Sequence, residues 1–463
     1  MNKKIRLFLA LLLAFVMCLA FVNFASAAVD PTQINKAAIT KKLVTPYGVD
    51  ITLLQARFTF RVRALSVSGT NYNPASANMP LFGESGTINT SDGSGTFSVG
   101  YGTTRATWTK TASDWTAPDY PDTYFIETGD IFAGYTWTSP GDYLYEITEN
   151  PNTYTQKGIY PNPNSDKMEY SPAVYRVTVY VRAYVSTDII PPGKQVGDIY
   201  IYGIGAIRVT TEGGTPGSEK VDPTPGTDRE DMEYSGMTFT NKYGKVNGNP
   251  GGGDPDPRVE SHRTLYVRKA VAGNTGDSSK YFNFEMTINN PTVVSGSKTV
   301  YRAYVVDTAT GTIVTSTANG AASGNNYIEF TAGYMRTFSL RHGQSLVFVD
   351  TPVGMWYSIT EKASDHIPSA IAVYDAGANT PLTAGLANTD YVLPGTMPQA
   401  VRMLMFVGER LGGMSFTNTR TDGGPITGLN INDLPFVGLI ALAAGALVVF
   451  VVAKSRKRRR NYN

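Results

Sequence analysis

The 463-residue chain contains a single cysteine, Cys18, and three histidines, His262, His342 and His366. Cys18 lies inside an apolar N-terminal run, so the rest of the chain has no thiol to form a disulfide, bind zinc or act as a nucleophile. The histidines are too few and too scattered for a metal cluster or a catalytic triad. No excess charge of one sign compensates: 40 Lys and Arg face 38 Asp and Glu. Nine of the basic residues sit at the two ends, leaving 31 basic against 37 acidic residues within 28–427. That middle has no basic stripe to follow a phosphate backbone, which argues against nucleic acid as a partner. The glycines 93, 95, 100 and 102 lack the Gly-Lys-Ser/Thr of a phosphate loop and read as a hairpin. The acidic run 228–233 lacks EF-hand spacing and reads as a solvated loop. Neither a metal nor a cofactor is expected, and no acid–base set converges for a hydrolase.

Long apolar runs occur only at the ends. Lys3, Lys4 and Arg6 precede the run Leu7–Val22, and Ala25-Ser26-Ala27 supplies small residues for cleavage. Residues 1–27 therefore read as a secretory signal peptide. A lipoprotein signal at Cys18 is rejected because Met17 stands where a small residue is needed. At the other end, residues 434–453 are free of charge and long enough to span a bilayer as a helix. Lys454, Arg456 and the run Lys457–Arg460 follow, which keeps that end cytoplasmic and everything before it outside.

Just upstream stands Gly424-Pro425-Ile426-Thr427-Gly428. Motif, apolar span and basic tail together resemble a Gram-positive cell-wall sorting signal of the Leu-Pro-x-Thr-Gly type. Pro425, Thr427 and Gly428 match that pattern, whereas Gly424 replaces its leucine. The resemblance implies cleavage between Thr427 and Gly428 by a sortase, with the membrane engaged only through the span before sorting. Residues 422–463 form this signal.

Between the ends the pattern has period two. Tyr175, Val177, Val179 and Val181 alternate with Arg176, Thr178, Tyr180 and Arg182, as in a half-buried strand. Twenty-eight tyrosines suit pleated surfaces. The expected class is all-β, built of sandwiches. Residues 244–257, rich in Gly, Pro, Asn and Asp, read as a linker between a first domain at 28–243 and a second at 258–421. The first is large for one sandwich, so an elaboration is expected within 66–140. Trp108, Trp115 and Trp137 fall there, and aromatics at that density read as core rather than as a binding face.

One constellation occurs twice. Met237-Thr-Phe239-Thr-Asn241 closes the first half and Met414-Ser-Phe416-Thr-Asn418 the second. Tyr145-Glu-Ile147-Thr-Glu149 is matched by Tyr357-Ser-Ile359-Thr-Glu361, and Ile39-Thr-Lys41 by Val267-Arg-Lys269. Alternation places each Lys, Glu and Asn in phase with apolar neighbours, aimed at the core. Unpaired burial would cost several kcal/mol, so the three groups should meet. A desolvated Lys becomes a neutral amine nucleophile, and a protonated Glu polarises the carboxamide. Attack would expel ammonia and leave a Lys–Asn isopeptide bond, a single-turnover self-modification rather than an enzyme cycle. In the first half Lys42 competes with Lys41, and Glu146, out of phase, competes with Glu149.

With these signatures in both halves, and Phe282-Asn-Phe284 in the second, the chain resembles the streptococcal T-antigen-type backbone pilins. The resemblance implies two tandem Ig-like sandwiches of the collagen-adhesin B type, each with an internal bond promoted by its Glu: Lys41, Glu149 and Asn241 in the first, Lys269, Glu361 and Asn418 in the second. It implies a non-enzymatic pilus backbone at the Gram-positive surface, whose partners are a sortase and either neighbouring subunits or wall peptide. In such pilins the lysine that accepts the next subunit lies shortly before the Asn-bearing strand of the first domain. Residues 230–236 hold no lysine here, and Lys220 is the nearest upstream candidate. The alternative function is a monomeric wall-anchored adhesin that binds a host or surface ligand through its first domain.

Overall fold

In the computed structural model the described residues are 35–51, 54, 56–100, 106–107, 121–226, 234–248, 254–396, 398–421, 442, 443 and 446. The signal-peptide reading, the sorting motif at 424–428, the span 434–453 apart from those last three residues, Trp108, Trp115 and the acidic run 228–233 all lie outside them.

The chain is all-β. Its strands are β1 (Thr40–Thr45), β2 (Arg57–Val67), β3 (Thr70–Asn71), β4 (Ser94–Gly100), β5 (Ala106–Thr107), β6 (Asp122–Glu127), β7 (Gly141–Glu149), β8 (Asp166–Glu169), β9 (Val174–Ala183), β10 (Ile199–Thr210), β11 (Pro216–Val221) and β12 (Thr238–Lys245) in the first half. The second half supplies β13 (Leu265–Ala272), β14 (Phe282–Asn289), β15 (Val300–Asp307), β16 (Ile328–Thr331), β17 (Met335–Leu340), β18 (Gln344–Phe348), β19 (Trp356–Glu361), β20 (Ile367–Val373), β21 (Thr380–Pro381), β22 (Tyr391–Leu393) and β23 (Gly412–Thr419).

Each half folds as two facing sheets. In the first, β5-β6-β1-β12-β8 opposes β11-β10-β9-β7-β2-β3, with β4 also paired to β2. In the second, β16-β15-β18-β13-β23-β20-β21 opposes β17-β14-β19-β22. The first and last strands of each half are parallel neighbours, β1 beside β12 and β13 beside β23. Alternation builds the cores: Phe58, Phe60, Tyr145, Ile147, Tyr175, Val177 and Phe239 are buried in the first, and Phe284, Phe338, Tyr357, Ile359 and Phe416 in the second. The segment 66–140 adds β3 to β6 and packs Phe82 and Phe132 against Tyr145, with Trp137 against both phenylalanines. Trp137 thus belongs to the core.

The two sandwiches join end to end. β12 continues through Gly244 and Lys245, which pair with Lys167 and Asp166 of β8, two residues into the segment read as linker. A glycine suits this strand end because a Cβ on Gly244 would meet Val294 of the second sandwich at 2.2 Å. Beyond it, Lys245 Nζ meets Glu409 Oε2 at 2.9 Å, Val246 bridges Pro352, and Asn247 Nδ2 donates to the Gly408 carbonyl at 2.6 Å. Tyr47 packs its ring against Tyr374 and Phe406.

This junction gives the molecule two remote ends. Tyr175 Oη, near the start of β9, donates to the Thr238 carbonyl at the start of β12. From there β9 runs away from the junction, pairing residue by residue with β7 until Val181 faces Gly141. The β9–β10 connection, residues 184–198, therefore caps the end of the first sandwich remote from the second. Conversely, β23 starts beside Gly408 and Glu409 at the junction and delivers Thr419 to the far end of the second sandwich.

Parallel contact between β13 and β23 is close at Gly413, where φ is +155° and a Cβ would lie 2.0 Å from the Tyr266 carbonyl oxygen. Gly413→Ala is expected to destabilise the second sandwich by about 2–3 kcal/mol, read as a lowered midpoint in denaturant unfolding. An unchanged midpoint would show that the strands separate there at no cost.

Candidate functional site

Each sandwich buries one lysine, one glutamate and one asparagine at the same place in its topology. β1 and β12 pair with Leu43 opposite Asn241, so Lys41 stands two residues ahead of the asparagine on the adjacent strand. β13 and β23 repeat that offset, with Val271 opposite Asn418 and Lys269 two residues ahead. The glutamate comes from the facing sheet: Glu149 ends β7 opposite Phe60, and Glu361 ends β19 opposite Phe284. Period two carries all six polar side chains inward with their apolar neighbours.

In the first site the Lys41 ammonium donates to both Glu149 oxygens at 2.8 Å, and Asn241 Nδ2 donates to Oε1 at 2.8 Å. The Ser171 backbone N–H donates to Asn241 Oδ1 at 2.8 Å. In the second site Lys269 Nζ and Asn418 Nδ2 each donate to Glu361 Oε1 at 2.6 Å. Sharing one oxygen places amine and carboxamide within two hydrogen-bond lengths of each other. Among the described residues, Glu361 Oε2 and Asn418 Oδ1 are buried without a hydrogen-bond partner.

Aromatic rings wall off both amines. Lys41 Nζ lies 4.6 Å from the Phe58 ring centre, and Lys269 Nζ lies 4.3 Å from Phe282 and 5.6 Å from Phe284. Side chains of both Lys–Glu pairs are at most 1% exposed. Burial disfavours the charged forms and outweighs the attraction within each pair. It pulls Lys41 and Lys269 down to about 8 and pushes Glu149 and Glu361 up. The two groups thus move toward a neutral amine beside a neutral acid, with a carboxamide held against both.

The competing residues are placed elsewhere. Lys42 lies over the Phe125 ring at 5.7 Å, on the other face of β1. Glu146 pairs with Arg63 at 2.6 Å and approaches Arg176 at 4.0 Å. Lys220 is exposed on β11, where it pairs with Ile207 of β10. Sequence reasoning missed Ser171, whose contribution is a backbone N–H and leaves no mark in residue type. It also passed over Phe58-Thr-Phe60, the counterpart in β2 of Phe282-Asn-Phe284; that repeat was visible in the sequence. Among the described residues no His/Cys/Asp/Glu group is placed to hold a metal.

A family model described as a domain of unknown function (DUF7601) matches residues 263–384, a stretch that contains Lys269 and Glu361 and stops before Asn418. No curated protein matches the chain. Among solved structures, the chain is similar to the major pilin from Streptococcus pyogenes at 18% identity, covering 84% of this chain and 100% of that one with a TM-score of 0.27. The T3.2 major pilin of the same species gives 17% identity, 83% and 98% coverage and a TM-score of 0.26. A pilus-presented adhesin gives 13%, 83% and 100%, and 0.20.

A pH signature follows from the buried amine. Burial pulls Lys269 from its ordinary 10.5 down to about 8 in the intact site, and Asn418→Ala, which keeps the lysine beside Glu361 without the carboxamide, is expected to preserve that lowering. Between those values the unfolded chain holds the extra proton, so stability should rise with pH, by at most about 1.4 kcal/mol per unit. Full benefit is reached above the unfolded value and is lost as pH falls through the folded one. Denaturant unfolding from pH 8 to 10 should show a steeper rise than in Asn418→Ala/Lys269→Met; equal slopes would mean that Lys269 is solvated.

Proposed function

We propose that this chain is a structural protein of the Gram-positive cell surface, the backbone subunit of a sortase-assembled pilus, with one autocatalytic Lys–Asn isopeptide bond in each sandwich. The observation that carries the reading is the duplicated buried trio, in which one glutamate oxygen receives both the amine and the carboxamide. No solvent-facing function explains two such desolvated sets at equivalent strand positions.

The chemistry runs within each core. A proton passes from the lysine ammonium to the glutamate, a transfer that burial favours. The neutral amine attacks the asparagine Cγ, the Nζ–Cγ bond forms, and the C–Nδ2 bond breaks. The acid gives its proton to the departing nitrogen, which leaves as ammonia, and the carboxylate so regenerated takes the surplus proton from Nζ to leave a neutral amide. In the first site the Ser171 N–H bonded to Asn241 Oδ1 stabilises the developing oxyanion. Each bond closes a loop of roughly 200 or 150 residues, and chain entropy assigns such a loop about 5 kcal/mol. In a chain whose exported part has no cysteine, this takes the place of disulfides.

The remaining steps rest on the sequence. Export through residues 1–27 and cleavage after Thr427 pass an acyl group to a lysine of the next subunit or to wall peptide.

The exported 28–427 fragment should weigh less than its sequence mass by two ammonias, about 17 Da for each attack. Glu361→Ala should restore one ammonia and leave the first bond intact. A full sequence mass in the unmodified fragment would sink the cross-link chemistry. Separately, wall-digested cells boiled in SDS and reductant should give a ladder of regularly spaced high-mass bands. One band at the monomer mass would favour the anchored adhesin.

A further inference from the structure

We infer that the amine joining one subunit to the next is Lys194, on the β9–β10 connection, rather than Lys220; the inference rests on the pilus reading above. Thr421, the last residue before the sorting signal at 422–463, lies at the far end of the second sandwich, and Thr427 follows six residues later. A linear polymer joins that end to the opposite end of the next copy. The opposite end is capped by residues 184–198.

Lys194 is presented there by a built turn. Pro191, Pro192 and Gly193 precede it, its backbone N–H donates to the Pro191 carbonyl at 3.1 Å, and Gly193 takes φ +84°. Proline followed by a positive-φ glycine is the signature of a type II turn, which fixes the loop and leaves the fourth residue outward. The hairpin base is braced by Tyr184 stacked on Tyr200 at 4.0 Å. Lys194 is exposed, and its ammonium has no ion pair or hydrogen bond among the described residues.

Apolar side chains surround it. Ile189 is 98% exposed, Val196 57% and Val185 52%, a concentration that a solvated hairpin tip does not need. The occupant it fits is the C-terminal end of a second copy of this chain, carrying Thr427 as an acyl-enzyme. Lys220 instead sits on the flank: it pairs with Ile207, which pairs with Arg176 next to Tyr175. Joining there would make the copies overlap side by side. In the transfer, the deprotonated Lys194 Nζ attacks the Thr427 carbonyl carbon. The C–Nζ amide bond forms, the bond to the enzyme's nucleophile breaks, and the amine proton leaves with that nucleophile.

The test is a wall-digest immunoblot of cells that make the full chain and its sortase, comparing wild type, Lys194→Arg and Lys220→Arg. Arginine keeps the charge and cannot accept the acyl group. Loss of the ladder in Lys194→Arg, with the two-ammonia deficit retained as proof of folding and the ladder intact in Lys220→Arg, is expected. Mass spectrometry of wild-type polymer should find Thr427 joined to Lys194. A ladder persisting in Lys194→Arg, or a branch at another lysine, overturns this assignment and leaves the pilus reading standing. No ladder in wild type overturns the pilus reading, and this assignment with it.

Discussion

Everything in the two sandwiches is organised around one carboxylate oxygen in each. Glu149 Oε1 and Glu361 Oε1 each accept from a lysine and an asparagine in a buried core. A buried charge is tolerated when paired and hydrogen-bonded, and these sites meet that condition only because three strands from two sheets converge. The parallel pairing of first and last strands supplies two members of each trio, and the facing sheet supplies the third. If any strand slipped by one residue, its polar member would point to solvent and leave the others stranded. Register and site chemistry therefore enforce each other.

The two sites share a plan without sharing every detail. In the first, a backbone N–H from Ser171 reaches the asparagine oxygen, and Ser171 Oγ donates to Glu212, which in turn receives the Thr240 N–H. In the second, β20 crosses that place with Pro368 opposite Asn418, and proline brings no N–H. His366, two residues earlier, is buried with its ring edge-on to Phe282. The second core thus relies more on aromatic shielding and less on backbone donors.

The sequence made much of this legible. Alternation is a direct readout of which face a residue takes, so Met237-Thr-Phe239-Thr-Asn241 betrayed its inward asparagine, and the duplication in Met414-Ser-Phe416-Thr-Asn418 turned an oddity into a pattern. The same parity argument singled out Glu149 over Glu146, and the Arg63 and Arg176 partners of Glu146 show where an out-of-phase carboxylate goes. Parity could not say which strands are neighbours, because pairing depends on contacts distant in sequence. Nor could it separate Lys41 from Lys42 without a known strand phase. The end of β12 was also hidden: Gly244 looks like a linker residue until Val294 is seen crowding the space where a side chain would stand.

Parallel pairing of β1 with β12 and of β13 with β23 has a mechanical meaning. The chain enters each sandwich along one of these strands and leaves along the other in the same direction, so a pull on the ends slides the two strands past each other in shear. All the rungs of the ladder are loaded together, instead of being opened one at a time as in a hairpin peeled from its end. With a bond from Lys41 to Asn241, the load path shortens to the few residues outside that link, and the roughly 200 residues between them fall out of it. Those residues would otherwise pay out some 660–720 Å of slack when unravelled. A fibre made of such units would hold its length under tension, transmitting force from tip to base without the yielding that unfolding domains provide.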